Sequence, residues 1–234
     1  MPDDANAFQT ALALIMGGDP DLLGIVMLSL QVSLTAVLIA ALIALPLGAA
    51  LALWQFPGRG VAIVMLNAMM GLPPVVAGLA VYLLLSRAGP LGEFGLLFTP
   101  GAMVIAQVIL VLPIIAALTR QQVEELHSEY REQLSSMGVS RSRRIPTLLW
   151  DARLGLTTVM LAGFGRASAE VGAVMIVGGN IDGVSRVMTT AIVLETSKGN
   201  LPLALGLGIV LLVLVALINA AAHLVGETAQ RRLG

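Results

Sequence analysis

Arg166 and Glu170 stand four residues apart in an otherwise apolar run at about residues 154–179. On a continuous helix that spacing puts both side chains on one face, where they can pair across a single turn. A lone charge at membrane depth is costly, so such residues pair or line a wet cavity. Two readings stand: a self-neutralising structural pair, or a pair that holds a gate or shapes a polar path. The other chemically loaded stretch is 120–153, RQQVEELHSEYREQLSSMGVSRSRRIPTLLWDAR, which holds six of the thirteen Lys and Arg residues. Catalytic signatures are missing. There is no cysteine, no G-x-x-x-x-G-K-[ST] phosphate loop, no H-E-x-x-H and no G-x-S-x-G, and His127 and His223 are too far apart to suggest a metal site. The chain is not expected to be an enzyme or to hydrolyse ATP itself, and no cofactor is implied.

The elements that must position these residues are membrane helices. The chain is 57% hydrophobic and 12% charged, whereas soluble domains carry about a quarter charged residues. Uncharged runs at 22–58, 60–86, 94–119 and 199–226 each exceed the roughly 20 residues that cross hydrocarbon. With 154–179 they predict an all-α polytopic membrane protein of about five transmembrane helices. The 22–58 run reads as one helix with Pro46 near its end and Trp54 at the interface. Basic residues set the orientation. Arg59, the six of the central loop, Arg231 and Arg232 fall on one side, and Arg87, Arg186 and Lys198 on the other. The central loop and C-terminus are thus expected in the cytoplasm and the N-terminus outside. Asp3, Asp4, Asp19 and Asp21 agree, and argue against a cleaved signal peptide. The expected organisation is a short extracytoplasmic segment over 1–20, where 7–16 form a surface patch, a single membrane domain over 21–226, and a tail over 227–234.

Breaks are expected inside the spans. Pro73 and Pro74 in GLPPVVAGL remove two adjacent backbone donors in mid-membrane, giving either a packing kink or a broken helix that lines a path. Pro113 interrupts the third span, at about 101–118. Residues 180–200 read as an outside or re-entrant segment, and Pro202 opens the fifth span. In the central loop Val123, Leu126, Tyr130 and Leu134 form one apolar helical stripe. Ser135-Ser136-Met137-Gly138 then interrupts, Arg141, Arg143 and Arg144 follow, and Pro146 starts a second helix. The prediction is a helix–turn–helix hairpin with Gly138 permitting close backbone approach at its bend. Anionic lipid heads and a protein partner both suit its charge.

Glu132-Gln133-Leu134, three residues, then Gly138 is similar to the E-A-A-x-x-x-G loop of ATP-binding-cassette (ABC) importer permeases, with Gln133 and Leu134 replacing the two alanines. The downstream I-x-L-P of that loop falls on Leu148-Leu149-Trp150-Asp151, where only the apolar character survives. A stronger likeness lies at 163–200, where G-R-x-x-x-E-V-G-A, G-G-N-I and M-T-T-A-I-x-L-E-T-S-K-G resemble the permease subunit of tungstate-type importers, and more loosely that of molybdate permeases. GLPPVVAGL and VLPIIAAL are also similar. The resemblance spans about residues 66–215. It implies the type I ABC importer permease fold, a homodimer in the inner membrane, a cytoplasmic ATPase and an extracytoplasmic solute-binding protein as partners, and an oxyanion as cargo. Tungstate is expected first, with molybdate or sulfate as alternatives. Under it, Glu132, Leu134, Gly138, Arg141, Arg143 and Arg144 form the ATPase coupling loop. Asn180, Thr189 and Thr190 offer neutral donors to the passing anion, and Arg186 and Lys198 dock the binding protein or remain solvated. Gly172, Gly178 and Gly179 suit a close-packed dimer seam. An ion-coupled secondary transporter and an intramembrane enzyme are the competing classes. Glu170 is nearly the sole intramembrane acid and no inverted repeat is visible, which weighs against the first. Arg166–Glu170 is a poor nucleophile–base set, which weighs against the second.

Overall fold

The computed structural model describes residue 17 and residues 20–233, without the side chains of Arg141, Ser142, His223 and residues 225–233. The 7–16 patch, Asp3, Asp4 and Asp19, and the Arg231 and Arg232 side chains therefore lie outside the described residues. All regular elements described are helical: α1 Pro20–Leu53, α2 Arg59–Met70, α3 Pro74–Leu85, a 3-10 turn Gly92–Phe94, α4 Pro100–Ser136, α5 Arg141–Asp151, α6 Arg153–Ser168, α7 Gly172–Gly178, α8 Met188–Ser197 and α9 Leu201–Leu233. Among the described residues α1, α4 and α9 are long and apolar enough to cross a membrane, and the number of candidate spans reaches five if each of the bent pairs α2/α3 and α6/α7 crosses as one.

Helix α1 is a single helix, as expected, with Pro46 inside it. Its 34 residues extend about 50 Å at the α-helical rise, well beyond a hydrocarbon core of about 30 Å. The second span is divided, not merely kinked. Pro73 is extended (φ −61°, ψ 126°) and Pro74 occupies the first position of α3, where a missing N–H costs nothing. Helix α4 departs from expectation in the other direction. The third span and the first arm of the central hairpin are one uninterrupted 37-residue helix through Pro113. Good helix formers such as Gln121, Gln122, Glu124, Glu125 and Leu126 carry it onward from the apolar part. A further correction concerns α5, which begins at Arg141 after an extended Ser140, so Pro146 lies inside it. The segment 180–200 also contains a helix, α8, that hydropathy alone does not separate from its surroundings.

The chain divides into two compact units. The first comprises residues up to Thr35, Pro73–Gln107 and Ser168–Ala220. One cluster of its core is Leu22, Met188, Ala191 and Leu207, with Ile25, Ile192 and Leu203 against them. Within it α3 packs on α7. A Cβ on Gly78 would lie 2.7 Å from the Ala173 Cα, so only glycine allows this approach. The second unit comprises Ala36–Leu72, Val108–Ala167 and the residues from Ala221. Ala49, Ala52, Leu53, Val123 and Leu148 are its buried nucleus at the polar end of α4.

Candidate coupling hairpin and polar switch-back

The apolar stripe of the hairpin is buried as its spacing requires. Val123 is fully buried, and Leu126, Tyr130 and Leu134 pack with it against Ile145, Leu148 and Leu149 of α5 and the end of α1. The turn is a Schellman motif. Val139 N–H donates to the Leu134 carbonyl at 3.1 Å, and Gly138 N–H to the Ser135 carbonyl at 3.1 Å. Gly138 has φ +66°, and a Cβ there would meet nothing within 4 Å. This corrects the expected role of Gly138: the turn needs its left-handed backbone, not close packing. Arg144 fastens the same turn, its Nε donating to the Val139 carbonyl at 2.9 Å and its Nη2 to the Leu134 carbonyl at 3.4 Å. A cation at carbonyls left open by a helix end is favourable. Glu132, Met137 and Arg143 are exposed around this turn, Met137 to 76%. The Arg141 side chain lies outside the description.

At the base of the hairpin a carboxylate joins three segments. Glu124 accepts from Arg59 Nη2 at 2.9 Å through Oε1, and from Arg120 through Oε2. Arg59 Nε also donates to the Leu51 carbonyl at 2.8 Å, tying down the end of α1. Glu124 carries no motif, and its one sequence signal is the four-residue spacing from Arg120. On α6, Arg153 lies 5.0 Å from the exposed Trp150 ring.

The first unit holds a buried polar switch-back around Glu170. Helix α6 stops at Ser168 and α7 begins at Gly172, so Arg166 and Glu170 do not share one helix face as their spacing suggested. Glu170 is 3% exposed and its Oε1 accepts the Ala173 N–H at 2.9 Å, capping α7. Its carbonyl accepts the Thr189 hydroxyl at 2.8 Å. The Thr190 hydroxyl donates to the Val187 carbonyl at 3.0 Å and accepts the Val187 N–H at 3.1 Å, half of a capping box for α8. Asn180 adopts φ +51° and donates Nδ2 to the Thr190 carbonyl at 3.4 Å. Both threonine protons are thus engaged by backbone, so these two hydroxyls hold the loop. Ser29 and Ser185, which no motif marks, complete the framework. Ser29 Oγ accepts the Met188 N–H at 2.8 Å, and Ser185 Oγ donates to the Gly178 carbonyl. Gly172, Gly178 and Gly179 approach Val75, Met103 and Phe98 within the chain.

The E-T-S-K-G-N segment ends α8 with a second Schellman turn. Asn200 N–H donates to the Glu195 carbonyl at 2.9 Å and Gly199 N–H to the Thr196 carbonyl at 3.1 Å. Glu195 clamps it, receiving Lys198 Nζ at 2.9 Å and Asn200 Nδ2 at 3.0 Å. The Lys198 hydrogen bond is the main cause that holds the Glu195 carboxyl below its ordinary range; burial opposes it, while Asn200 and the charges of Lys198 and Arg186 assist. Arg186 pairs with Asp182 at 2.8 Å. The two cations expected to attract partners or anions are therefore already balanced by carboxylates.

No protein-family model matches the chain. It is 42% identical over 204 residues to a probable anion ABC transporter permease protein of Haloferax volcanii, covering 85% of this chain and 88% of that one. It is 39% identical to the tungstate uptake system permease protein TupB of Peptoclostridium acidaminophilum, covering 95% of this chain and 98% of that one. A sulfate transport system permease protein, CysW of Escherichia coli, is 28% identical over 70% of this chain. Spans, breaks and polar hairpin thus occur in a sequence that aligns over most of its length with the first two of these proteins: the chain belongs to the multi-pass permeases of the anion ABC transporters.

Proposed function

We propose that this chain is the membrane subunit of an ATP-driven importer of tungstate, working as a homodimer with two copies of a separate cytoplasmic ATPase and an extracytoplasmic binding protein. The observation that carries this reading is the 39% identity, over 95% of the chain, to a permease named for tungstate uptake. In this account residues 21–226 act as one membrane domain. The N-terminus is outside and the hairpin and C-terminus are cytoplasmic, following the excess of basic residues on the hairpin side. ATP binding closes the ATPase pair, the hairpin around Glu132–Arg144 carries that movement into α4 and α6, and the path turns outward to receive the anion from the binding protein. Arg166 and Glu170 serve the gate, each from one side of the α6/α7 break. Asn180, Thr189 and Thr190 keep the switch-back rigid so that the gate moves as a piece. The breaks at Pro73, Pro74 and Glu170 divide spans into segments able to move separately.

The test is uptake of tungstate, molybdate and sulfate by cells carrying this chain with its ATPase and binding protein. Tungstate entering in preference, and only with an intact ATPase, is the expected result. Preference for sulfate or molybdate would reassign the cargo, and uptake indifferent to the ATPase would replace the mechanism with ion-coupled transport.

A further inference from the structure

Three described guanidinium groups on the hairpin, those of Arg131, Arg143 and Arg144, have no carboxylate partner among the described residues, and two of them face one cleft. On α4, the positions three and four residues from Arg131 are His127, Ser128, Leu134 and Ser135, none acidic. Arg131 is exposed. Around Arg144 the corresponding positions are Ser140, Arg141, Thr147 and Leu148, and its guanidinium is bound only by neutral oxygens of Val139, Leu134 and Ser135. Both arginines line one cleft of about 590 Å³, together with Gln55, Glu124, His127 and Ser135. The acid in this wall is neutralised, since each Glu124 oxygen already receives an arginine. The cleft thus keeps an uncompensated positive charge in a concavity of ligand-binding size. Guanidinium groups recognise phosphate and carboxylate geometry through paired N–H donors.

We propose that this cleft binds a tetrahedral oxyanion group, held chiefly by Arg131 with Arg144 beside it. The group is either a free oxyanion or the phosphate of an anionic lipid head. The site does not depend on which ion the transporter carries. The Arg131 side chain makes no hydrogen bond or ion pair among the described residues, so its replacement is expected to leave the hairpin folded, whereas Arg144 also fastens the turn.

The experiment compares the full-length permease with Arg131→Gln and, as a control, Arg87→Gln in the 86–99 loop. One arm measures binding of inorganic phosphate by equilibrium dialysis in detergent without anionic lipid. The other counts phosphatidylglycerol retained from mixed phosphatidylcholine–phosphatidylglycerol nanodiscs by native mass spectrometry. Loss of a charge-assisted contact predicts roughly tenfold or greater weakening in Arg131→Gln, with Arg87→Gln unchanged. Weakening in the phosphate arm assigns a free oxyanion, and in the lipid arm alone a headgroup. Equal binding by wild type and Arg131→Gln in both arms, or equal loss in Arg87→Gln, overturns the proposal.

Discussion

At the scale of single residues, several buried polar groups of the first unit serve its architecture. Thr189, Thr190 and Ser29 each satisfy backbone groups that a helix end or a turn would otherwise leave open in an apolar setting, where an unsatisfied group is costly. Glu195 does the same with a charge. Its carboxyl is held below the ordinary 4.5, first by the Lys198 hydrogen bond. A depressed carboxylate contributes stability that is complete above its unfolded pKa and is lost as pH falls through the folded value. Glu195→Gln should therefore be less stable than wild type above pH 4.5, with the gap closing as pH drops further. Thermal unfolding followed from about pH 7 to about pH 3 checks this. A gap that stays constant, or widens in acid, would show that the clamp contributes nothing through its charge.

At the scale of elements, the hairpin is a long α4 arm, a Schellman turn and α5, closed by one apolar cluster. Its rigidity rests on Gly138, whose φ of +66° an L side chain adopts at about 1–2 kcal/mol, more for a β-branched one. Gly138→Val should loosen the turn, raising hydrogen exchange at Val139 and lowering ATPase-stimulated transport, while Gly138→Asn should stay near wild type. Equal effects from both substitutions would mean that space at the turn, not backbone conformation, is what matters. Of the elements, the stripe from Val123 to Leu134 and the single α1 were legible in the sequence, whereas Pro73–Pro74 fitted a packing kink as well as the division found. The stop at Ser168 was not legible, because nothing in GFGRASAEVG breaks a helix by local propensity alone. Glu170, capping α7 from just outside it, defines the break through a tertiary setting that spacing does not encode. Helix α8 was hidden for a similar reason, its buried face mixing apolar Met188 and Ala191 with polar Thr189, Thr190 and Glu195.

For the whole molecule, three long membrane helices, two sharply bent helix pairs and a hairpin held on one long helix suit a permease that receives mechanical work from outside itself. The central claim is that the hairpin is where an ATPase takes hold. The most direct test places a photo-cross-linking residue at Met137, 76% exposed on the turn, and as a control at Phe94, 69% exposed in the 3-10 segment. It is irradiated in an assembled transporter that moves tungstate. The account predicts a cross-link from position 137 to the ATPase subunit and none from position 94. An active complex in which position 137 fails to reach the ATPase, or position 94 reaches it instead, would contradict it.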